Sequence, residues 1–143
     1  MIVVTHNATS HLDRCLDAVA QGPHEVIVVD NASTDGTREL VRERFPSVRL
    51  IELPENIGFG AANNVGMEAG GGDYYLLLNS DAWPRADGIE KLRLFVESNP
   101  QVGVAGPRLV SPDGRVQKSV RGFPTLWRLA TEYFFLRKLA PRS

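Results

Sequence analysis

The sequence is poor in the residues that form disulfides and metal clusters, and it lacks a long apolar run. Among 143 residues there is one cysteine, Cys15, so an internal disulfide is excluded. The three histidines, His6, His11 and His24, do not have the spacing of a zinc site. No apolar segment approaches the ~20 residues of a membrane span, and no signal peptide precedes Ile2. We therefore expect a cytoplasmic protein.

An excess of charge of either sign is missing as well. Sixteen basic residues stand against seventeen acidic ones, which leaves a net charge of −1 and gives no support for nucleic-acid binding. The composition, with 43% hydrophobic and 23% charged residues, is that of an ordinary globular protein. The length is sufficient for one domain with a substantial core, so we predict a single domain over residues 1–143.

What the chain does have is a regular alternation of short apolar segments with helical patterns. Residues 2–5, 25–29, 48–53 and 74–78 have the β-branched and apolar character of strands. The last of these has five apolar residues in a row, which predicts a strand buried on both faces in the middle of a parallel sheet. Helical spacing of apolar residues follows each strand. The alternation predicts an α/β fold with a doubly wound, mainly parallel sheet.

The remaining third of the chain has weaker patterns. Residues 88–98 have the spacing of a helix, residues 102–110 are apolar and strand-like, and residues 111–114 are typical of a hairpin turn. Residues 126–139 predict an aromatic-rich helix. Its apolar face would either lie on a membrane surface, at the inner face of the membrane, or pack on protein, and packing on protein is the commoner use. Left exposed, it would favour self-association into a homo-oligomer.

Polar side chains follow each of the predicted strands, where the carboxyl ends of parallel strands would form one crevice. They are Thr5-His6-Asn7, Asp30-Asn31, Pro54-Glu55-Asn56 and Asn79-Ser80-Asp81. Asp30 or Asn31 can accept a hydrogen bond from the imide N–H of a pyrimidine, and Asp81 can ligate a divalent cation that neutralises a diphosphate. The alternative is structural: Asp30, Asn31 and Asp35 would only cap the second helix, and Asp81 would only cap a turn.

Other α/β nucleotide sites fit the sequence less well. A dinucleotide-binding domain has Gly-x-Gly-x-x-Gly after its first strand, whereas Gly58-x-Gly60-x-x-Asn63 ends in Asn and follows the third strand. A P-loop would need Gly-Lys-Ser/Thr, and a phospho-receiver domain an acidic pair after the first strand. Neither is present. A nucleotidyltransferase would have a basic, glycine-rich loop where residues 7–10 stand.

Taken together and in order, four segments of the chain resemble the family 2 glycosyltransferases, and most of all their rhamnosyltransferase-type branch. They are Ile-Val-Val-Thr-His-Asn at residues 2–7, Val-Asp-Asn-Ala-Ser-Thr-Asp-Gly-Thr at 29–37, Asn-Ile-Gly-Phe-Gly-Ala-Ala-Asn-Asn-Val-Gly at 56–66 and Leu-Leu-Asn-Ser-Asp-Ala at 77–82. The resemblance covers nearly the whole chain. It implies the GT-A fold, a Rossmann-like nucleotide-diphospho-sugar-binding domain with helices on both faces of the sheet. It also implies metal-dependent, inverting transfer of a sugar, rhamnose in that branch, to a saccharide or lipid-linked acceptor.

The same resemblance implies roles for individual residues. Thr5, Asp30 and Asn31 would meet the base and ribose, Asn63 would line the donor pocket, and Asp81 would end the Asp-x-Asp motif that binds Mg²⁺ or Mn²⁺. The full donor-binding set is Thr5, His6, Asn7, Asp30, Asn31, Asn56, Gly58, Asn63, Asn79 and Ser80. Two positions depart from the family: Asn79 replaces the first Asp of the motif, which leaves one carboxylate for the metal, and His6 replaces a common Tyr.

The general base of an inverting transferase is not identified in the sequence. Such an enzyme needs a base to deprotonate the acceptor hydroxyl, and in the family this acid lies beyond the hairpin. The acids after Asp81 do not match it; they are Asp87, Glu90, Glu97, Asp113 and Glu132. We therefore expect the donor-binding part of an enzyme truncated on its acceptor side. The alternatives are a catalytically incomplete nucleotide-sugar-binding fragment and a nucleotidyltransferase.

Overall fold

The computed structural model describes residues 1–85, 87–111 and 113–117, and it confirms the predicted alternation of strands and helices. The elements in chain order are β1 (Ile2–Thr5), α1 (Thr9–Val19), β2 (Ile27–Asp30), α2 (Thr37–Arg44), β3 (Arg49–Glu52), α3 (Phe59–Ala69), β4 (Leu77–Asn79) and α4 (Gly88–Ser98). The predicted helix at 126–139 lies outside the described residues, so the membrane-surface and homo-oligomer predictions that depend on it stay predictions.

The chain divides into two units, Met1–Gln101 and Val102–Ser143, and each is described by itself. The prediction of a single domain over residues 1–143 stays a prediction. Across the part of the chain that the structure describes, no helix has both the length and the apolar character needed to cross a membrane.

The four strands of the first unit form a parallel sheet in the order β3-β2-β1-β4. In the register of the sheet Thr5 is the partner of Asp30, and Asp30 is the partner of Glu52. The chain runs outward from β1 to β3 and then returns to place β4 on the other side of β1. The strand order therefore reverses between β1 and β4, and this switch point is where open α/β sheets bind ligands.

The core consists of two layers, one on each face of the sheet, because successive side chains of a strand point to opposite faces. Val3 and Val28 pack on one face with α1 and α2, which contribute Leu12, Cys15, Leu16, Val19 and Val41. Ile2, Val4, Ile27 and Val29 pack on the other face with Ala62 of α3. The prediction of helices on both faces is confirmed. Cys15 is buried in the first of these layers.

The prediction that residues 74–78 form a strand buried on both faces is wrong. Strand β4 is shorter, Leu77–Asn79, and β1 is its only neighbour among the described strands. Tyr74 is 57% exposed and Leu77 is 47% exposed. An apolar run is the same in an edge strand as in a central one, so its composition did not reveal its place in the sheet. Strand β3 is less buried than β1 and β2.

In the second unit, the prediction of a strand over residues 102–110 is wrong. Val104 is 93% exposed, and only Val110 makes a bridge, antiparallel to Val116. The hairpin turn that follows is confirmed by its backbone hydrogen bonds: the N–H of Ser111 donates to the carbonyl of Arg115 at 2.8 Å. An apolar run without a pairing partner remains irregular, because a strand is completed by its neighbour.

Candidate functional site

A cleft of about 320 Å³ lies at the switch point between the carboxyl ends of β1 and β4. Its lining residues are Val4, Asn7, Ala8, His11, Phe59, Asn79, Ser80 and Asp81. Four of the predicted site residues, Asn7, Asn79, Ser80 and Asp81, are therefore brought together around one space. The sequence predicted a crevice along all four strand ends, whereas the cleft in the structure lies between the ends of β1 and β4.

Thr5 and Asp30 form a buried polar pair beside this cleft, at the ends of β1 and β2. Their exposed fractions are 1% and 0%. One carboxylate oxygen of Asp30, Oδ2, accepts hydrogen bonds from the backbone N–H of Ser33 at 3.1 Å and from Nε of Arg38 at 2.5 Å. Within the described structure Oδ1 of Asp30 and Oγ1 of Thr5 have no hydrogen-bond partner. A buried polar atom left unpaired costs about 1–3 kcal/mol, so these two atoms mark a place for a further polar group.

Asn31 connects the end of β2 to the loop before α3. Its side-chain Nδ2 donates to Oδ1 of Asn56 at 2.8 Å, and its Oδ1 accepts from the backbone N–H of Ile57 at 2.9 Å. Oδ1 of Asn56 also accepts from the N–H of Gly58 at 3.0 Å. Gly58 has φ +86°, a conformation that strains any residue with a side chain. Three of the predicted residues, Asn31, Asn56 and Gly58, thus form one hydrogen-bonded turn.

The segment that leaves β1 is held against the segment that leaves β2. Asn7 has φ +51°, and its backbone N–H donates to Oγ of Ser33 at 2.9 Å. Its side-chain Oδ1 accepts from the N–H of Thr34 at 2.8 Å. His6 is exposed and its Nδ1 donates to the carbonyl of Asn31 at 2.8 Å, since a carbonyl oxygen can only accept. Both residues therefore fix the shape of the loops around Thr5 and Asp30.

Asp35 joins the first turns of α1 and α2 behind these loops. Its carboxylate accepts from the N–H and hydroxyl of Thr9 and from the N–H and hydroxyl of Thr37. Partial desolvation acts to raise the pKa of Asp35, but the hydrogen bonds from Thr37 and Thr9 outweigh it and lower the pKa well below its ordinary value. Asp35 therefore remains ionised and caps two helices at once, which is the structural role that the sequence left open for it.

Asn63 does not line the cleft. It is 3% exposed on α3, and its side-chain Nδ2 donates to the carbonyl of Phe59 one turn earlier, at 2.9 Å. In this conformation the amide serves its own helix. The role of Asn63 in donor binding stays a prediction.

Asp81 lies exposed at the mouth of the cleft, next to α1. Sγ of Cys15 in that helix donates to the carbonyl of Asn79 at 3.6 Å. Burial first, and the negative charge of Asp81 second, raise the pKa of the Cys15 thiol to about 11, so the thiol stays protonated. Two residues after Asp81, the ring of Trp83 is covered by the guanidinium of Arg14, whose Cζ lies 3.8 Å from the ring centre. The loop that carries Asp81 is thereby held against α1.

The donor atoms of this loop fit one particular kind of metal site. In the residues described, no three His, Cys, Asp or Glu side chains come together to hold a metal ion. One carboxylate, with amide and hydroxyl oxygens beside it, suits a hard cation that takes its other ligands from phosphate oxygens and water. Mg²⁺ is commonly bound in that way, through one or two carboxylates and substrate phosphates. The residues at the end of β4 therefore fit a cation shared with a diphosphate.

His11 and Phe59 are residues of the cleft that the sequence did not point to. His11 is exposed near the start of α1, and Phe59 is 54% exposed at the start of α3. The usable signal was position rather than residue type: both lie in the first turns of helices that begin just after strand ends, and such turns border the crevice of an α/β sheet.

Comparison with known proteins supports the family and the fold. Residues 1–142 match the model of Glycosyl transferase family 2. N-acetylglucosaminyl-diphospho-decaprenol L-rhamnosyltransferase of Mycobacterium tuberculosis is 32% identical over 142 residues, a match that covers 90% of this chain and 46% of that protein.

Two solved glycosyltransferase structures resemble the chain in fold. The mannosyltransferase PcManGT from Pyrobaculum calidifontis, in complex with GDP-Man and Mn²⁺, has a TM-score of 0.64 and 32% identity; the match covers 71% of this chain and 32% of that one. TarS 1–349 of S. aureus, in complex with UDP-GlcNAc, has a TM-score of 0.62 and 25% identity, with 69% and 31% covered.

These likenesses confirm the GT-A fold that the sequence motifs implied. The chain spans about half the length of the curated relatives it matches, 46% of that rhamnosyltransferase. The match to the family model nevertheless extends over almost every residue of the chain. The chain belongs to glycosyltransferase family 2.

Proposed function

We propose that the chain binds the nucleotide-diphospho-sugar donor of a metal-dependent, inverting glycosyltransferase. The observation that carries the proposal is that one edge of the sheet has the unpaired buried atoms of Thr5 and Asp30 on one side and the cleft with Asp81 on the other. The first pair suits a base, and the second suits a diphosphate with its cation. The two sites are adjacent because β1 borders both.

The base in this proposal is a pyrimidine with a ring N–H, as in uridine or thymidine diphosphates. An unpaired carboxylate oxygen such as Oδ1 of Asp30 is an acceptor, so it needs a donor from the ligand. TarS was crystallised with UDP-GlcNAc, whose uracil has such an N–H. The rhamnosyltransferase relative supports rhamnose as the sugar and a lipid-linked saccharide as the acceptor.

In the mechanism, residues of this chain hold the donor and orient its leaving group. Asp81, with Asn79 and Ser80, would bind Mg²⁺ or Mn²⁺, which would neutralise the charge that develops on the departing nucleoside diphosphate. His11 and Asn7 border the same cleft and can donate hydrogen bonds to phosphate oxygens. The acceptor hydroxyl attacks the anomeric carbon as the diphosphate leaves, which inverts the configuration, and its proton passes to a general base.

The acids after Asp81 that the structure describes are engaged in surface ion pairs. Asp87 pairs with Lys91, Arg93 bonds both Glu90 and Glu97, and Arg115 lies 3.3 Å from Asp113. Hydrogen bonds from Lys91 and Arg93 lower the pKa of Asp87 and of Glu90. A general base works best with a pKa near the operating pH, which for a carboxylate requires a raised pKa. The pKa values of Asp87 and Glu90 are lowered instead. This observation favours the second candidate function, a donor-binding fragment without efficient transfer.

Calorimetric titration of the purified chain with UDP, dTDP, GDP, CDP and ADP, each with Mn²⁺, with Mg²⁺ and with chelator, tests the binding proposal. We expect UDP or dTDP to bind most tightly, and only with a divalent cation. A purine diphosphate that binds more tightly than both would contradict the pyrimidine assignment. Equal affinity in chelator would contradict the metal.

Transfer is tested separately from binding, with labelled dTDP-rhamnose and a lipid-linked saccharide acceptor. We expect this chain to transfer sugar very slowly, because the described acids are occupied. Turnover of about 1 s⁻¹ or more, an ordinary enzymatic rate, would place a working base within these residues and would reject the fragment hypothesis.

A further inference from the structure

Arg38 links the buried pair Thr5 and Asp30, where we propose that the nucleobase binds, to the surface. It lies in the first turn of α2, and its Nε donates to Oδ2 of Asp30 at 2.5 Å. Its Nη2 donates to the carbonyl of Leu53 at 3.1 Å, and its Nε is 3.7 Å from Oε2 of Glu52. The side chain is 28% exposed, while that of Asp30 is fully buried. One guanidinium group therefore spans the carboxyl ends of β2 and β3.

The two donors on Asp30 are both directed at the same oxygen. Oδ2 receives the guanidinium N–H of Arg38 and the backbone N–H of Ser33, whereas Oδ1 receives none from the described residues. A carboxylate bonded twice through one oxygen cannot rotate without losing both bonds. A buried charge is also tolerated only when it is paired. The guanidinium thus keeps the carboxylate in one orientation with Oδ1 as a bare acceptor, next to the unpaired hydroxyl of Thr5.

We propose that Arg38 is a positioning residue for base selection: by holding Oδ2 of Asp30 it presents Oδ1 as a fixed acceptor, which favours bases with a ring N–H. Uracil, thymine and guanine have that donor. Cytosine and adenine have a lone pair at the corresponding ring nitrogen, which a carboxylate repels. The inference rests on the proposed function, since it names how the same donor site chooses its base.

Arg42 offers a matched control on the same helix. It also pairs with Glu52, through Nη2 to Oε1 at 2.5 Å, and it lies in the following turn of α2, but it makes no contact with Asp30 among the described hydrogen bonds. Arg38→Met and Arg42→Met each remove a guanidinium that bonds the end of β3. Only the first removes the donor from Asp30. A difference between them in base preference therefore reports on Asp30 and not on the loss of a surface charge.

The experiment is calorimetric titration of the full chain with UDP and CDP in the presence of Mn²⁺, with the melting temperature measured for each variant. We expect Arg38→Met to lower UDP affinity about tenfold or more and to reduce the UDP-to-CDP affinity ratio. The reason is that the variant loses the charge-assisted hydrogen bond that fixes the orientation of the Asp30 carboxylate. Arg38→Lys should restore part of the affinity, and Arg42→Met should leave the ratio unchanged. A merely structural role would lower the melting temperature and affect both nucleotides equally.

Asp30→Asn is a second variant that does not depend on the stability of the Arg38 variants. With Arg38 present, two donors hold the amide oxygen at the Oδ2 position, so the NH₂ group takes the Oδ1 position as a donor. We expect the preference to invert toward CDP. In the double variant Asp30→Asn with Arg38→Met the amide is free to turn over, and the inversion should be lost.

The outcomes separate the two proposals. If the unmodified chain binds UDP with Mn²⁺ and Arg38→Met leaves the UDP-to-CDP ratio unchanged, the positioning role is wrong and the proposed function stands. If Asp30→Asn still prefers UDP, Oδ1 of Asp30 does not select the base; the positioning role and the base contact at Asp30 are then both wrong, and only cation-dependent binding of a nucleoside diphosphate stands. If the unmodified chain binds no nucleoside diphosphate, both proposals are overturned together.

Discussion

At the carboxyl ends of β1 and β2 the polar side chains are buried, and those of Asp30 and Asn31 are held by hydrogen bonds, whereas at the end of β4 they are exposed. Thr5, Asp30 and Asn31 are at most 3% exposed. Asp81 is exposed, and the strand before it has three residues with Leu77 47% exposed. Both regions belong to one crevice, and β1 contributes to each.

The difference indicates two ways of recognising one ligand. The nucleobase side, at the ends of β1 and β2, is preorganised, because Ser33 and Arg38 already hold Asp30 and Asn56 already holds Asn31 before any ligand arrives. A preorganised site loses little conformational entropy on binding. The β4 side supplies one carboxylate and depends on the cation and the diphosphate to complete its coordination. Substitutions on the nucleobase side should therefore disturb folding as well as binding, and those on the β4 side only binding.

The largest effect that we expect is on the β4 side. Asp81→Ala should weaken Mn²⁺-dependent binding of UDP or dTDP by at least about 100-fold, since even residues that only support a metal ligand cost 10–100-fold when removed. The melting temperature should stay unchanged, because Asp81 is exposed. Calorimetry and thermal unfolding of the same samples measure both.

Asp73→Ala is the matched control for Asp81, an exposed carboxylate that precedes the opposite end of the same strand. It should change neither quantity. Unaltered nucleotide affinity in the Asp81 variant with Mn²⁺ present would refute the metal assignment. A large fall in its melting temperature would erase the contrast between the two sides of the crevice.

The next effect is on the buried side, and it concerns folding rather than binding. A Cβ at Gly66 of α3 would lie 2.6 Å from Cγ2 of Ile2 and 3.1 Å from Cγ2 of Val29. Gly66→Ala should lower the free energy of unfolding by about 1–3 kcal/mol, because overpacking outweighs the gain of ~1 kcal/mol in helix propensity. Urea denaturation measures the change.

Gly60 provides the control in the same helix, since a Cβ there would meet nothing within 4 Å. Gly60→Ala should be neutral or stabilise the protein by up to about 1 kcal/mol. If both variants gain stability, α3 is not packed closely on β1 and β2, and the ends of these two strands are not preorganised.

The same two regions show how far the sequence predicts the structure. Local patterns were enough for β1 and β2, because a continuous β-branched run such as residues 26–29 is typical of a buried parallel strand. The motif order was enough for the family and for bringing Asn7, Asn79, Ser80 and Asp81 together. That β4 has only β1 beside it among the described strands was not predictable, since this depends on its neighbours and not on its own residues.

Side-chain partners were beyond the sequence for a similar reason. Arg38 follows a motif of small polar residues and has no local feature that assigns it to Asp30, eight positions earlier. Only the return of the chain from β2 into α2 brings them together. Asn63 is the converse case, because its motif suggested a role in the donor pocket that the structure does not show. Its amide donates to the carbonyl of Phe59, and residue type alone does not predict that bond.

The smallest effect that we expect is at Asp35, on the rim of the preorganised side. The pKa of Asp35 in the folded protein is lowered by its hydrogen bonds from Thr37 and Thr9, while in the unfolded chain it is close to ~3.9. The ionised group therefore stabilises the fold above that unfolded value, and the stabilisation is lost as the pH falls through the lower, folded pKa. Asp35→Asn keeps a capping oxygen but removes the negative charge at the two helix N-termini, so it should cost about 0.3–1 kcal/mol near pH 7. The stability difference between the two proteins should shrink below about pH 4. Urea denaturation from pH 7 to pH 2.5 measures it, and a difference that stays constant with pH would mean that the carboxylate contributes through its shape and not through its charge.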